Sequence, residues 1–336
     1  MNYQEFLTYI KDNLPEYVRR FRYISRNTDL EPEDLSGEED SRTDKFEAEL
    51  HKVIKNNGIV LDGITLRREG EPISPNMYLN SYFESYQMGK PMAVIMEELT
   101  ARYQKLMEES NIEIADVYDF KSVKNDIVLR LVNYDRNREM LKGCPHKKFL
   151  DLAITFRYIV NRDQTGIASS LISKEEFELW GIDMEDLYQI ALFNTMREFP
   201  WHMDSLAKVI VDCIRRRMPE EASGELEEEL AALERTENGV NMFVLSNDSG
   251  INGASSILYD SVISNFARVQ ECNVFILPSS VHEVMLVPET AETGAEFLEG
   301  LVREANQSAV GLIDLLSDHI YYYDREKDQI FIYGQN

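Results

Sequence analysis

Along the chain, apolar side chains recur first at helical and then at strand spacing, and this pattern predicts the order of the elements. Residues 3–24 carry aromatic and aliphatic side chains at helical spacing around Pro15, which predicts two short helices that meet at the proline. Residues 27–44 are rich in Asp and Glu and hold hardly any apolar side chain. They are therefore expected to form a flexible acidic loop.

Residues 46–67 carry the clearest local signal in the chain. Apolar and charged side chains alternate on both sides of Asn57-Gly58, a pair that favours the two positive-φ positions of a type I′ turn. This pattern predicts a long hairpin. The alternation breaks at Asp62-Gly63, where a bulge would restore it.

The segment 76–140 is predicted to be helical, because apolar side chains return to helical spacing over 78–86, 92–107 and 123–140. The first of these stretches holds an aromatic stripe, which is expected to pack against the hairpin as core: Tyr78, Leu79, Tyr82, Phe83 and Tyr86.

Residues 150–172 are rich in β-branched and aromatic side chains on both sides of a polar turn, which predicts a second hairpin. Ser173, with Glu176 three positions later, has the pattern of a capping box, so helices are expected over 174–198. The string GIASSLI at 166 resembles GASSILY at 253. Both strings are predicted to be the second strand in an order of strand, turn, strand and helix, so similar supersecondary structure is expected at the two places, with a weak internal repeat or coincidence as the reason.

Acidic side chains dominate residues 219–238, where eight glutamates stand against one arginine. This composition predicts a linker or an exposed helix between an N-terminal region, 1–218, and a C-terminal region, 239–336. The C-terminal region is expected to hold a strand pair at 273–288, a helix through Phe297 and Ala305, and a last strand pair that turns at 324–329. Antiparallel β-hairpins flanked by helices, in two subregions, are typical of an α+β fold.

The amino-acid composition indicates the cellular compartment in which the protein is expected. Hydrophobic residues make up 43% of the 336 and charged residues 28%, and no apolar run approaches the roughly 20 residues that span a bilayer. The N-terminal residues lack the pattern of a signal peptide. Cys144, Cys213 and Cys272 are widely separated and odd in number, as expected of reduced thiols. A cytoplasmic protein without membrane association is expected.

The net charge of the chain indicates which kinds of binding partner to expect. Sixty acidic residues stand against 35 basic ones, a formal net charge of -25. Such a surface repels the phosphate backbone of nucleic acids, so we expect no nucleic-acid binding. Protein partners with neutral or basic surfaces fit this charge, whereas the oligomeric state leaves no signal in the sequence.

Candidate chemistry centres on Ser280, His282, Glu283 and His319. His282-Glu283 resembles the start of a zinc-hydrolase helix, but Leu286 stands where the second histidine is needed. The flanking apolar runs predict strands, which would place His282 in a polar hairpin turn. No metal and no cofactor are therefore expected, although these side chains could line a cleft with His319 if the last two hairpins pack side by side.

Cys144-Pro145-His146 places two further soft ligands close together. A metal site would need more ligands from elsewhere, and a proline between a cysteine nucleophile and a histidine base is sterically awkward. This motif is interpreted as a loop between two elements.

Six strings of this sequence are similar to those of an uncharacterised bacterial family found mostly in anaerobic Gram-positive bacteria: KNNGIVLDGITL, ISPNMYLNSYFESY, PHKKFLDLAITFRYIV, GASSILY, ILPSSVHEVMLVP and SDHIYYYDRE. The resemblance covers residues from about Phe46 to Tyr333, and residues 27–44 look longer here than is usual in that family. A second uncharacterised bacterial family resembles the chain more distantly. Neither resemblance implies an activity, so neither assigns a role to any residue.

Two functions follow as hypotheses. The favoured one is a cytosolic, non-catalytic interaction or regulatory protein, whose acidic surface and aromatic strands contact protein partners. The alternative is an enzyme of unrecognised type, such as a hydrolase, with a site around Ser280, His282, Glu283 and His319.

Overall fold

The computed structural model of the chain describes residues 1–26, 45–68, 75–109, 118–163, 166–217, 241–291 and 293–335. The chain divides into two compact units. The first comprises Met1–Lys55, Ile59–Val123 and Ile159–Ser169, and the second comprises Asn56–Gly58, Lys124–Tyr158 and Ser170–Asn336.

The first unit holds a three-stranded antiparallel sheet and its helices. The elements are α1 (Tyr3–Arg26), β1 (Phe46–Ile54), β2 (Val60–Arg68), β3 (Asn76–Tyr78), α2 (Asn80–Gln87), α3 (Met92–Glu109) and α4 (Phe120–Val123). The strand order is β1-β2-β3. One core cluster joins side chains of α1, α3 and all three strands.

Helix α1 runs through Pro15 without a break, so the prediction of two short helices is wrong. An internal proline costs a helix about 3 kcal/mol or more. Five apolar side chains of α1 are no more than 5% exposed: Phe6, Leu7, Ile10, Leu14 and Val18. Each contributes about 1.5–3 kcal/mol when fully buried, so packing outweighs the proline and the helix continues.

The predicted hairpin at 46–67 is confirmed as β1 and β2, which pair from Phe46 with Arg68 to Ile54 with Val60. Asn57 and Gly58 both have positive φ, at 60° and 72°, as predicted. The Lys55 N–H donates to Ile59 O at 2.7 Å, so the loop holds three residues and not the two of a type I′ hairpin. The predicted bulge at Asp62-Gly63 is wrong, because the register is continuous through both residues. Gly63 serves a different purpose, since a Cβ there would collide with the side chain of Asn76.

The helix predicted from residue 76 begins only at Asn80, because residues 76–78 form β3. This short strand pairs with β2, from Gly63 with Tyr78 to Thr65 with Asn76. Strand pairing with β2 therefore overrides the helical spacing. The expected packing of the aromatic stripe is confirmed for Tyr82, Phe83 and Tyr86, which lie against the core of this unit.

The second unit is built around a six-stranded antiparallel sheet in the order β13-β12-β10-β11-β9-β8. Its strands are β8 (Trp201–Ser205), β9 (Phe243–Asn247), β10 (Val274–Leu277), β11 (Val284–Pro288), β12 (Tyr321–Asp324) and β13 (Gln329–Ile332). A four-stranded sheet precedes it in the chain. Its strands are β4 (Ile127–Asn133), β5 (His146–Phe149), β6 (Leu152–Asp163) and β7 (Gly166–Leu171), and β4, β5 and β7 each pair with β6.

The helices that follow α4 in chain order complete the set of elements. They are α5 (Arg138–Leu141), α6 (Lys174–Trp180), α7 (Met184–Glu198), α8 (Leu206–Arg217), α9 (Val262–Gln270) and α10 (Ala295–Ser308). Short 3₁₀ segments lie at Asn56–Gly58, Asp135–Asn137 and Gly253–Leu258. The predicted α+β class, with antiparallel hairpins flanked by helices, is confirmed.

Strand β4 corrects the prediction of helix over 123–140. Every residue of β4 except Arg130 is buried, and a strand buried on both faces carries a continuous apolar run in which helical spacings also occur. Side chains of helix α7 form hydrogen bonds with backbone groups at the outer edge of β4. Asn194 Nδ2 donates to Ile127 O at 2.9 Å, and the Leu129 N–H donates to Thr195 Oγ1 at 2.9 Å. These contacts protect an edge that would otherwise be open to pairing.

The two similar strings adopt different structures. GIASSLI falls largely in strand β7, whereas GASSIL at Gly253–Leu258 is a buried 3₁₀ segment, so the expected strand there is wrong. The Ala254 N–H donates to Val281 O at 3.2 Å, and Ser256 Oγ donates to Ser246 O at 3.2 Å. Bonds of this kind, from residues distant in sequence, decide the conformation.

Several local predictions are confirmed. The hairpin at 150–172 is β6 with β7, and the helices at 174–198 are α6, with a complete Ser173–Glu176 capping box, and α7. The pairs β10 with β11 and β12 with β13 match the two predicted C-terminal strand pairs, and α10 matches the predicted helix.

The acidic segments 27–44 and 219–238 lie outside the described residues, so their interpretation as loop and linker stays a prediction. The same holds for a domain boundary at 219–238. Strand β8 precedes that segment and β9 follows it, and the two pair from Trp201 with Asn247 to Ser205 with Phe243. The two sides of the acidic segment thus share one sheet.

Candidate functional site

A loop at residues 311–319 of the second unit, between α10 and β12, is held by asparagine side chains. Five of its carbonyl oxygens accept hydrogen bonds from asparagine Nδ2 atoms: Leu312 and Leu315 from Asn57 at 2.8 and 2.7 Å, Ile313 from Asn56 at 2.7 Å, Leu316 from Asn133 at 2.9 Å, and Ser317 from Asn306 at 2.8 Å. These bonds supply partners that an irregular backbone lacks. We call residues 311–319 the pinned loop.

The loop that joins β10 to β11 lies beside the pinned loop. The Leu316 N–H donates to Ser279 O at 3.1 Å, and the Val281 N–H donates to Asp314 O at 2.8 Å. An isolated antiparallel bridge links Ser280 with Leu315. The candidate residues Ser280, His282 and Glu283 therefore stand on a loop that is hydrogen-bonded to the loop that carries His319.

His282 contacts a carboxylate that the sequence analysis did not identify. Its Nε2 lies 3.2 Å from Asp314 Oδ1, and its Nδ1 accepts the Asn252 N–H at 3.4 Å. Because Nδ1 accepts, the ring proton of the neutral imidazole is on Nε2, the nitrogen that faces Asp314. The His282 and Asp314 side chains are 34% and 38% exposed. Both ring nitrogens of His282 are thus occupied.

Ser280 and Glu283 flank this contact. Ser280 is buried, and its Oγ accepts the His282 N–H at 3.0 Å, so the hydroxyl contacts the backbone of that histidine. Burial raises the pKa of the Glu283 carboxyl, and the Asp314 charge raises it further, while His282 opposes the shift. Glu283 therefore takes up a proton more readily than an ordinary glutamate.

Gly253 allows the turn of His282 to approach the 3₁₀ segment. A Cβ at Gly253 would collide with Ser246 Oγ and with His282 O. Ser246 Oγ donates to that same His282 oxygen at 2.8 Å. Only a residue without a Cβ fits between these two atoms without a shift of the backbone.

His319 pairs with another carboxylate, Asp151, which follows β5. His319 Nδ1 lies 2.9 Å from Asp151 Oδ2, and that oxygen also accepts the Ser317 hydroxyl at 2.6 Å. The Tyr321 hydroxyl donates to Asp151 Oδ1 at 2.5 Å. Asp151 is 17% exposed at its side chain and His319 is 47% exposed. A carboxylate on Nδ1 orients the ring and leaves Nε2 towards solvent, where Gln335 Nε2 lies 3.4 Å away.

Two groups close to Asp151 in the structure, the buried Tyr321 and the exposed Asp318, have shifted pKa values. Burial, with the nearby Asp151 charge, raises the pKa of Tyr321 well above its usual value. Burial alone would raise the pKa of Asp318, but hydrogen bonds from Asn306 and Arg136 lower it below its ordinary value. Asp318 therefore stays ionised and holds Arg136 at 2.7 Å.

The structure thus places the four candidates on two adjoining loops and gives each histidine its own carboxylate. Asp151 and Asp314 were missed by sequence reasoning. Each is a single aspartate in a turn or loop, a common position for the residue, so no local pattern marks it.

The second unit also has a cavity of about 380 Å³, lined by residues that include Tyr259, Asp260 and Tyr323. Ser280, His282, Glu283 and His319 are not among the described residues that line it.

The tyrosines of β12 and the cysteine motif have packing roles. Tyr321 and Tyr323 are buried on one side of β12, and Tyr322 packs against Phe275 on the other. Burial raises the pKa of the Cys144 thiol to about 11, which disfavours the thiolate that a nucleophile needs. His146 Nδ1 lies 3.1 Å from the Cys144 carbonyl oxygen.

Two further properties of the described ranges bear on the site. Within them, His, Cys, Asp and Glu side chains do not gather in threes that could hold a metal ion. Over the same ranges, no helix has both the length and the apolar character needed to cross a bilayer.

The fold and the site define an α+β protein in which two histidine–carboxylate contacts flank an asparagine-held loop. The chain belongs to a family of unknown function, DUF5688, whose model matches residues 3–325. No curated protein and no solved structure matches the chain. The resemblance to an uncharacterised family is thereby confirmed, and this family assigns no activity to the site.

Proposed function

We propose that the protein is a non-catalytic interaction or regulatory protein of the cytoplasm. The observation that carries the proposal is the setting of the His282 ring, whose Nδ1 accepts the Asn252 N–H and whose Nε2 lies 3.2 Å from Asp314 Oδ1. A general base or a metal ligand needs a nitrogen lone pair, and this imidazole has none to offer. His282 and Ser280 instead join neighbouring loops.

Exposed apolar side chains on α7 and β8 supply a contact surface. Phe193 is 68% exposed, Met196 38% and Trp201 47%. Phe193 and Met196 are three positions apart on one helix face, in the same stripe as the exposed Gln189. Large aromatic side chains and Met are enriched where proteins meet. We call Phe193, Met196 and Trp201 the α7–β8 apolar group.

The charge of the chain supports the choice of partner. At a net charge of -25, a neutral or basic protein surface is attracted and a polyanion is repelled. We therefore assign a protein partner, and neither nucleic acid nor an anionic membrane surface.

The proposal is tested by cross-linking and affinity capture with the full-length chain in lysate of its native cells. The double variant Phe193→Ser/Trp201→Ser is compared with wild type and with Val269→Ser, which alters another exposed apolar residue, 72% exposed on α9. We expect one reproducible partner with wild type and with Val269→Ser, reduced about tenfold or more with the double variant. Equal recovery with all three proteins, or no reproducible partner at all, contradicts the proposal.

A second candidate function, an enzyme such as a hydrolase, is favoured by His319. Its Nδ1 contacts Asp151 while the ring is 47% exposed, which is the arrangement of a general base that takes a proton from water or substrate. Ser280, His282 and Glu283 would then line the same site from the adjoining loop.

A panel of activated esters and phosphate esters separates the two functions. If His319 is a general base, His319→Gln lowers the rate about 100-fold or more and abolishes an imidazole-like limb of the pH profile, whereas His282→Gln has a smaller effect. If the protein is non-catalytic, the esters are hydrolysed no faster with wild type or with either variant than in buffer alone.

A further inference from the structure

Arg130 is a buried cation in the middle of β4. Its Nε is enclosed by protein and has no hydrogen-bond partner. Arg130 as a whole keeps partial exposure, while the other six residues of the strand are buried. A buried guanidinium without a contacting anion is costly, because the charge has lost water and gained no ion pair. A buried group of this kind calls for an explanation, and a bound anion is one that pairs the charge.

Asp314 acts on Arg130 only through space. Burial lowers the pKa of Arg130, and the Asp314 charge opposes that shift. The carboxylate of Asp314 is meanwhile bound at Oδ1 to His282 Nε2, at 3.2 Å. Asp314 is therefore in contact with a histidine and forms no hydrogen bond with Arg130 Nε.

Two elements that pack against β4 carry further buried polar atoms without a hydrogen-bond partner. The segments Asn56–Gly58 and Gly253–Leu258 both contact β4. Asn56 Oδ1 belongs to the first and Ser255 Oγ to the second, and both are buried and unpartnered. Buried polar groups are paired in the great majority of cases. Asn56 Oδ1 is an acceptor and cannot bind an anion, whereas Arg130 Nε and the Ser255 hydroxyl are donors on two elements in contact with each other.

We propose that Arg130 binds the carboxylate of a small organic acid, with the hydroxyl of Ser255 as a second donor. A guanidinium presents parallel N–H groups that match the two oxygens of a carboxylate. The carboxylates of Asp314 and Glu283 lie in the same neighbourhood and act on each other. They repel a doubly charged phosphate more strongly than a singly charged carboxylate. The site does not depend on the α7–β8 apolar group.

The test measures thermal unfolding of the full-length chain in sodium acetate, sodium benzoate and sodium phosphate, against sodium chloride at equal ionic strength. In wild type, a carboxylate near saturation raises the melting temperature by roughly 5 °C. The variant Arg130→Met removes the charge and keeps an unbranched apolar side chain. We expect it to melt no lower than wild type in chloride and to lose the response to carboxylate.

Arg157→Met is the matched control. Arg157 is half-buried on the neighbouring strand β6, where it pairs with Val128 next to the pair of Arg130 with Thr155, so both arginines lie on one sheet face. Arg157 makes interactions of its own, so its loss lowers stability but keeps the carboxylate response. Arg130→Lys, which keeps the charge and lacks the paired N–H groups, weakens the response about tenfold and covers the case in which Arg130→Met does not fold.

The proposal is overturned by any of the following results. They are the absence of a shift with both carboxylates in wild type, equal shifts in wild type and Arg130→Lys, loss of the shift in Arg157→Met alone, and a shift with phosphate only. A stable Arg130→Met protein that still responds to carboxylate overturns it as well.

Discussion

Replacement of Asn57 tests whether asparagine side chains hold the pinned loop. Asn57 Nδ2 donates to Leu312 O at 2.8 Å and to Leu315 O at 2.7 Å. The residue also has left-handed backbone angles, with φ 60° and ψ 28°. Its Oδ1 also accepts a hydrogen bond from Asn137 Nδ2 at 3.1 Å. The variant Asn57→Ala therefore removes three bonds and places an ordinary side chain in a conformation that favours Asn and Gly.

The magnitude follows from these two effects. Each hydrogen bond contributes about 1 kcal/mol to the free energy of unfolding. A left-handed residue with a Cβ costs about 1 kcal/mol more than glycine. Asn57→Ala should thus destabilise the second unit by about 4 kcal/mol, and Asn57→Gly by about 3 kcal/mol, because glycine avoids the backbone cost. The alanine variant should melt roughly 8–16 °C below wild type.

Urea unfolding followed by tryptophan fluorescence is a suitable assay. The two tryptophans, Trp180 and Trp201, both belong to the second unit, so the signal reports the unit that contains the pinned loop. Stabilities of both variants within about 0.5 kcal/mol of wild type would refute the assigned role of Asn57. An alanine variant as stable as the glycine variant would refute the backbone part of the reasoning.

Three further predictions concern the same unit. Gly253→Ala should lower the free energy of unfolding by about 1–3 kcal/mol, because the added Cβ collides with the His282 carbonyl oxygen. The control Gly300→Ala adds a Cβ in α10 that has no atom within 4 Å, so it should raise the free energy of unfolding by about 0.5–1 kcal/mol. Both values are measured by urea unfolding. Glu283→Gln should be more stable than wild type near pH 7 and lose that advantage near pH 4, because a raised folded pKa favours folding at low pH and is a cost once the group ionises; equal stabilities at both pH values would contradict this. Burial raises the pKa of Tyr259 from 10.0 to about 12, so stability should fall as the pH rises between those values, and Tyr259→Phe should flatten that fall in urea midpoints measured across the range.

The elements with strong local signals could be predicted from the sequence. The pair Asn57-Gly58 favours positive φ at both positions, and Ser173 with Glu176 forms a capping box. Each of these signals lies within a few residues and acts on the backbone next to it. The turn between β12 and β13 was predicted for the same reason.

The wrong predictions concern segments whose secondary structure depends on residues distant in sequence. Strand β3 forms because β2 offers it an edge, and β4 is a strand because it is buried on both faces and α7 satisfies its outer edge. Spacing within a short apolar run cannot distinguish these cases from a helix.

The candidate site shows the same division. The sequence indicated His282, in a predicted hairpin turn, and His319, at the start of the last predicted strand pair, as candidate residues. Their carboxylate partners, Asp314 and Asp151, are 32 and 168 residues away, so only the tertiary structure could bring them together.

The sequence by itself determined the α+β class, most of the hairpins, the capped helices and the acidic charge, because these depend on local backbone preference and on composition. The tertiary structure alone decided which asparagines hold the pinned loop, which carboxylate each histidine contacts and why Arg130 Nε lacks a partner. Hydrogen bonds and ion pairs act over a few ångströms in space and are indifferent to separation along the chain, so no local pattern contains them.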